Sequence, residues 1–442
     1  MTVSDPVPGA AAGPASGAAA GPAPGAAAGP VPDGRRWPSH RREERPWRSN
    51  GRGPRADREL RTVSVSVPPR IADLDWAPDD GTAVLLARTT LALRALDDAD
   101  GTGPLRSMLL RTDAVASSRI EHESAGLEDV ARALVGVRAN TSATVMVHAA
   151  AALEGFVDAA GAGRVDEDAL LAAHRRLLRD DPVDGPVAGR YRTVQNWIGG
   201  GATPRLATHV PPPPDLVPGL MADLFAFLDR DDLHPVAQAA LAHAQFESIH
   251  PFTDGNGRIG RALVAAVLRR RGVTRTVHAP VSAALVADRD RYFAHLDRYR
   301  DGAVDEWVRD LAVALGSAAD EALVTGLLLA EAASDRAATV CATGLHAVVG
   351  RGLDTDGVLT EDAAERLLTA VDPVAGPEAL DAVVEDLCAA GALRPVTTRR
   401  RRRAWVAPAV VRELDAFTER VRDGVEARAR RLEHERRAGG GA

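Results

Sequence analysis

The nine residues His250-Pro251-Phe252-Thr253-Asp254-Gly255-Asn256-Gly257-Arg258, with Arg261 three positions later, constrain this chain more than any other stretch. Ahead of them, 235–249 carries Leu241, Gln245, Phe246 and Ile249 at helical spacing, with no glycine to interrupt. Behind them, Ile259, Leu263, Val264, Val267 and Leu268 keep the same period until Gly272 ends the run. The nonapeptide is therefore a loop between two helices.

Its residue types point to anion chemistry. Gly255-Asn256-Gly257 permits positive backbone dihedrals, so successive amides can face one concavity, and the next helix adds the positive end of its dipole. Arg258 and Arg261, one turn apart, present two guanidinium forks to the same region, which suits a polyphosphate better than a single carboxylate. Asp254 is a hard oxygen donor able to hold Mg²⁺ on phosphate oxygens. His250, at the end of the preceding helix, has an ordinary pKa near ~6.5 and suits the role of base toward a hydroxyl. A lone Gly-Asn-Gly is usually a turn and a lone terminal histidine usually a cap; their convergence with an aspartate and two arginines favours a site.

These positions fill His-x-Phe-x-Asp-Gly-Asn-Gly-Arg-x-x-Arg, and over 64–328 the chain resembles the Fic family. The resemblance implies a mainly α Fic helical bundle with a β-hairpin flap. It implies transfer of AMP from ATP, with Mg²⁺, to a Ser, Thr or Tyr hydroxyl of a protein target, which could be the chain itself. His250 would take the hydroxyl proton and Asp254 would hold the metal. Gly255, Asn256 and Gly257 would cradle the phosphates, Arg258 would bind the β phosphate and Arg261 the γ. Other members of the family transfer UMP, phosphate or phosphocholine, or remove AMP, and these remain alternatives.

Two further segments take meaning from that resemblance. Ser117 and Glu121 lie four apart on one helical face, as in the Ser-x-x-x-Glu-Gly segment of an inhibitory helix, so Glu121 would pair with Arg261 and restrain the enzyme. The chain departs from the pattern at His122, where Gly or Asn is usual. Gly189 to Gly200 is rich in β-branched and aromatic residues and reads as the first strand of a hairpin, with 207–210 returning before Pro211 to Pro214. It would be the flap that lays the target down by strand pairing, through Thr193, Val194, Gln195, Asn196, Trp197 and Ile198. His174, among Leu170, Leu171 and Leu177, reads as a packed core residue without a catalytic role.

The 442 residues, 45% hydrophobic and 26% charged, suffice for two or three domains with a sizeable core. A net charge of -7 gives no global reason to expect nucleic acid. Cys341 and Cys388 are far apart and lack metal-ligand spacing, which argues against a disulfide framework or structural zinc and suits a reducing cytoplasm. No run of about 20 apolar residues suggests a membrane span.

The expected division is as follows. Residues 1–62 form a disordered tail, first a Gly-Ala-Ala-Ala-Gly-Pro repeat, then an Arg-rich run with Trp37 and Trp47. The Fic N-terminal region with the inhibitory helix takes 63–135 and the catalytic core 136–330. Residues 336–408 read as a winged helix-turn-helix (α+β) domain, short helices followed by two strands around the run Arg399 to Arg403, which could touch DNA phosphate. The charged helix and tail of 409–442 could dimerise. A DNA-binding regulator with a nucleotide-sensing core is thus the rival reading.

Overall fold

A computed structural model describes residues 37–48, 54–99, 104–121, 127–135, 141–201, 203–340, 344–374, 376–397 and 403–439. The Gly/Ala/Pro repeat, His122, Cys341 and Arg399 to Arg402 lie outside the described residues.

The chain is mainly helical. The first elements among the described residues are an antiparallel ribbon of β1 (Arg41–Pro46) and β2 (Thr62–Val67), with the single turn α1 (Arg55–Arg58) between them. This corrects the expectation of a disordered tail through 62. The cause lies in β2, whose Val63, Val65 and Val67 are buried with Val210 and pack against Trp47 and Trp197. Strand pairing then satisfies the backbone of β1, while most of its charged side chains stay in water. Upstream, Trp37 is buried beside Tyr299, ring centroids 6.3 Å apart.

Six helices follow: α2 (Asp80–Ala99), α3 (Pro104–Ile120), α4 (Leu127–Leu134), α5 (Thr141–Ala160), α6 (Glu167–Leu177) and α7 (Val217–Leu228). Next come α8 (Pro235–Ile249), α9 (Asn256–Arg270), α10 (Val281–Val286), α11 (Arg289–Arg300) and the long α12 (Asp305–Val340). Helix α8 is the axis of the bundle, buried from Val236 to Ile249 and packed by α7, α9, α11 and α12. Its alanines at 237, 239, 240, 242 and 244 let neighbours approach from every side. Three of its buried polar side chains find partners: Gln238 donates to Phe227 O at 2.9 Å, His243 Nε2 lies 2.9 Å from Tyr292 Oη, and Gln245 donates to Pro69 O at 2.8 Å.

Segments of α5 and α12, Ser142–Ala160 and Asp305–Ala338, are long and apolar enough by length and composition to cross a membrane. Here their apolarity meets other helices: α5 packs on α3, α6 and α9, and α12 on α2 and α16 (Pro408–Gly439).

Between α12 and α16 lies a second, smaller core. It contains α13 (Gly344–Asp356), β3 (Val358–Thr360), α14 (Glu361–Val371), α15 (Pro377–Ala389), β4 (Arg394–Pro395) and β5 (Ala404–Val406). The strands make an antiparallel sheet in the order β3-β5-β4, covering Leu359, Leu368, Leu380, Leu387 and Trp405. One strand more is present than the sequence suggested. The sheet rests on α4, where Ala131 packs with Val358 and Val406, and Arg132 Nε donates to Val396 O at 3.2 Å.

Candidate active site

Helix α8 ends in a left-handed turn at His250, φ 49° and ψ 61°, and among the described residues only His250 combines a side chain with a positive φ. Such a backbone costs an L-residue about 1–2 kcal/mol, and its neighbours enforce it. The buried Arg192 donates from Nε to His250 O at 2.8 Å and from Nη2 to Ile249 O at 3.3 Å, so it caps the helix. The Arg192 amide also donates to Pro251 O at 2.9 Å.

Asn256 closes the loop from the other end. Its side chain accepts from the Phe252 amide and donates to Phe252 O, each at 2.9 Å. Its side chain is thus spent on the loop, so any phosphate contact at Asn256 falls to the backbone. Gly255 has φ 78°, and a Cβ there would come 2.9 Å from Leu177 Cδ2. The position demands glycine on both counts.

His174, expected as core packing, is buried and also positions the loop. It accepts from Gly189 N on Nδ1 at 2.8 Å, so Nε2 carries the hydrogen that meets Asp254 O at 3.0 Å. Its ring stacks on Phe252, centroids 3.7 Å apart and planes 7° apart. Burial pushes its pKa down to about 4, which keeps the ring neutral and this pattern of one donor and one acceptor intact.

Asp254 Oδ2 accepts from Arg258 Nη2 at 2.6 Å, and the carboxylate remains half exposed. Among the described residues no three carboxylate, histidine or cysteine side chains cluster as a metal cage. One exposed hard oxygen beside an anion cradle suits Mg²⁺, which keeps most of its shell as water and phosphate.

Arg261 is fully buried. Its Nε donates to Ser117 Oγ at 3.0 Å, and Nη2 to Ser117 O at 2.9 Å and Glu121 Oε1 at 3.0 Å. Glu121 therefore sits on Arg261, and a Cβ at Gly257 would come 2.1 Å from Glu121 Oε1. The structure brings together His250, Asp254, the glycine turn, Arg258, Arg261, Ser117 and Glu121.

The flap differs from the expected hairpin of two strands. Among the described residues only the bridge Ile198↔His209 forms, with Ile198 N donating to His209 O at 2.8 Å. Pro211 to Pro214 have no N–H to extend a ladder, and side chains take the carbonyls instead. Arg192 donates to Val194 O and Pro212 O at 3.2 and 2.5 Å, and Gln195 donates to Pro211 O at 2.9 Å. Thr193 and Val194 are exposed, while Trp197 turns edge-on to Trp47 at 5.6 Å. Asn196 corrects its assignment to target contact: it is buried, with Nδ2 2.9 Å from His250 Nδ1 and 2.8 Å from Phe252 O.

Burial, then Arg192 and Arg300, hold the His250 imidazole down at about 3, so it is neutral at physiological pH. One turn before it, Glu247 is buried and its Oε1 has no hydrogen-bond partner. Burial pushes its carboxyl up to about 7 against the pull of Arg261. A raised carboxyl pKa means that the native state keeps a proton the unfolded chain releases, so stability falls as pH climbs from the ordinary value toward 7. Glu247→Gln should melt ~2–4 °C above wild type at pH 8 and close to it at pH 5, by calorimetry.

The fold and the site define a class: helical domains with a glycine-rich turn between two central helices and a neutral imidazole at the turn's start. Residues 164–268 match the Fic/DOC family. The chain is 35% identical over 147 residues to Protein adenylyltransferase Fic of Culex quinquefasciatus, covering 32% of this chain and 26% of that protein. It is 36% identical over 149 residues to Protein adenylyltransferase Fic of Nematostella vectensis, covering 33% and 31%. The chain thus matches less than a third of the length of these curated relatives. A Fic family protein from Desulfovibrio desulfuricans G20 shares the fold, with a TM-score of 0.50 at 24% identity, covering 75% of this chain and 98% of that one. The likeness to the Fic/DOC family thus lies in this core, residues 164–268.

Proposed function

We propose that the protein is a Mg²⁺-dependent protein adenylyltransferase held in check by Glu121. The observation that carries this reading is the Glu121 carboxylate on Arg261, against Gly257. An anion position on the helix that follows the His250 loop is filled by the chain's own anion, so a phosphate needs to displace only one carboxylate. In the reaction the target hydroxyl gives its proton to His250 as its oxygen bonds to the α phosphorus. The bond from that phosphorus to the bridging oxygen breaks, and pyrophosphate leaves. Arg258 and Arg261 stabilise charge on the departing phosphates, and the turn holds them in line. Bound through Asp254, Mg²⁺ would supply charge neutralisation on the phosphate oxygens.

The α13 to β5 unit has the helix-strand-helix-helix-strand-strand order of a winged helix. Its third helix, α15, carries Glu378, Asp381, Glu385 and Asp386 and no Lys or Arg. At the base of the basic run, Arg403 is paired with Glu361 at 2.7 Å and also with Asp381. A negative helix facing a phosphate backbone is repelled, so we assign the unit to contacts with protein rather than DNA. A reducing cytoplasm suits the free thiol of Cys388.

The test uses ATP labelled at either phosphate. Label from the α position should enter protein together with the adenosine, and label from the γ position should not. Transfer of γ label alone would make the protein a kinase and overturn the reading. Parallel reactions with UTP, CTP and GTP settle the base.

A further inference from the structure

Resting on the transferase reading, we propose that Asn196 is the positioning residue that decides which nitrogen of His250 holds the proton, and so whether the imidazole can accept one from a substrate hydroxyl. Phe252 O is a carbonyl that can only accept. It lies 2.8 Å from Asn196 Nδ2 and 2.9 Å from Asn256 Nδ2. The atom of Asn196 nearest it must therefore be nitrogen, and that nitrogen's second hydrogen meets His250 Nδ1 at 2.9 Å. Nδ1 is then an acceptor, and the hydrogen of the neutral ring sits on Nε2. In this arrangement Nε2, the nitrogen left to meet a substrate, is a donor and not a base.

Turning the amide over reverses the pattern. Oδ1 would accept from Nδ1–H, and the Nε2 lone pair would become free. The turned state sets Oδ1 against Phe252 O, which keeps its bond from Asn256. The present state leaves Asn196 Oδ1 buried without a partner. The turned state also moves Nδ2 away from both of its acceptors, so it carries two unfavourable polar contacts to the present state's one, and a target that offers Nδ2 an acceptor is what brings it within reach. Asn196 belongs to the flap segment whose Thr193 and Val194 are exposed, so a target lying there acts on the residue that sets the tautomer. Arg192, Arg300 and His209 stand around the ring from the flap's lead, α11 and the return segment. They oppose the imidazolium whichever nitrogen is protonated. In the turned state the substrate proton moves to Nε2, giving an imidazolium whose Nδ1–H is held by Oδ1, while the oxygen bonds to phosphorus and pyrophosphate leaves.

Nitrogen NMR of the full chain labelled in histidine reads the tautomer without any nucleotide, so it holds whichever group is transferred. The His250 signal is assigned by its loss in His250→Asn. Wild type should show hydrogen on Nε2. Asn196→Asp, which can only accept, should move it to Nδ1, and Asn196→Ala should give a mixture. In a Glu121→Gly background, Asn196→Ala should lower kcat about tenfold to hundredfold with the KM for ATP nearly unchanged, and Asn196→Asp should restore part of it. Hydrogen on Nδ1 in wild type, or a tautomer indifferent to both substitutions, would overturn the proposal. If the alanine variant does not fold, the aspartate spectrum decides.

Discussion

Glu121→Gly should raise transfer of α label from ATP into protein about tenfold to hundredfold, the worth of one charge-assisted hydrogen bond of ~1.5–3 kcal/mol. The side chains of the pair are unequally exposed, Arg261 at 1% and Glu121 at 37%. The carboxylate reaches water and leaves at little cost to the fold, whereas the guanidinium stays where Ser117 holds it through two hydrogen bonds. Removing the glutamate therefore frees a donor that is already aimed. ATP should also raise the melting temperature of the variant more than that of wild type, because binding no longer competes with the ion pair. Equal labelling of the two proteins at saturating ATP and Mg²⁺ would show that the contact restrains nothing.

His250→Asn in that background should cut the rate by about 10²–10⁴, the range for loss of a general base, and leave ATP affinity as it was. Asparagine is chosen for a backbone reason. Position 250 has φ 49°, a region that alanine resists and asparagine tolerates, so the loss reports chemistry and not a sprung helix end. Calorimetric titration with ATP separates the effects: a variant that binds nucleotide but transfers none has lost its base. If transfer persists within threefold of the parent, the proton leaves by another route.

Much of this site was legible in the sequence because its parts are local. The glycine turn, the helix ends and the arginine spacing lie within a dozen residues, and helical periodicity on both sides places them. The pairing of Glu121 with Arg261 was legible only through family resemblance, since 140 residues separate them. What could not be read depends on distant atoms. Nothing near His174 announces that its Nε2 reaches a carbonyl 80 residues on, and leucines around a histidine look the same whether it packs or props a loop. Residues 41–46 look like tail because Arg and Glu dominate them; the order comes from the valines of β2. Two tryptophans at 37 and 47, residues that disordered segments seldom carry, were the available signal. In the flap, β-branched residues before the prolines point to paired strands, but side-chain bonds from Arg192 and Gln195 to backbone carbonyls, which sequence does not display, take the place of a ladder beyond one bridge.

The ribbon at the chain's start has a consequence for visiting polypeptide. Ser66 N donates to Val210 O at 2.8 Å, and Val63, Val65 and Val67 are buried with Val210, so β2 lies against the end of the return segment. On the proposed function, an extended guest would be left the opposite margin, by the exposed Thr193 and Val194, as its berth. On that same proposal, with one berth instead of two, the side from which a guest approaches the imidazole would be set by which margin is already taken.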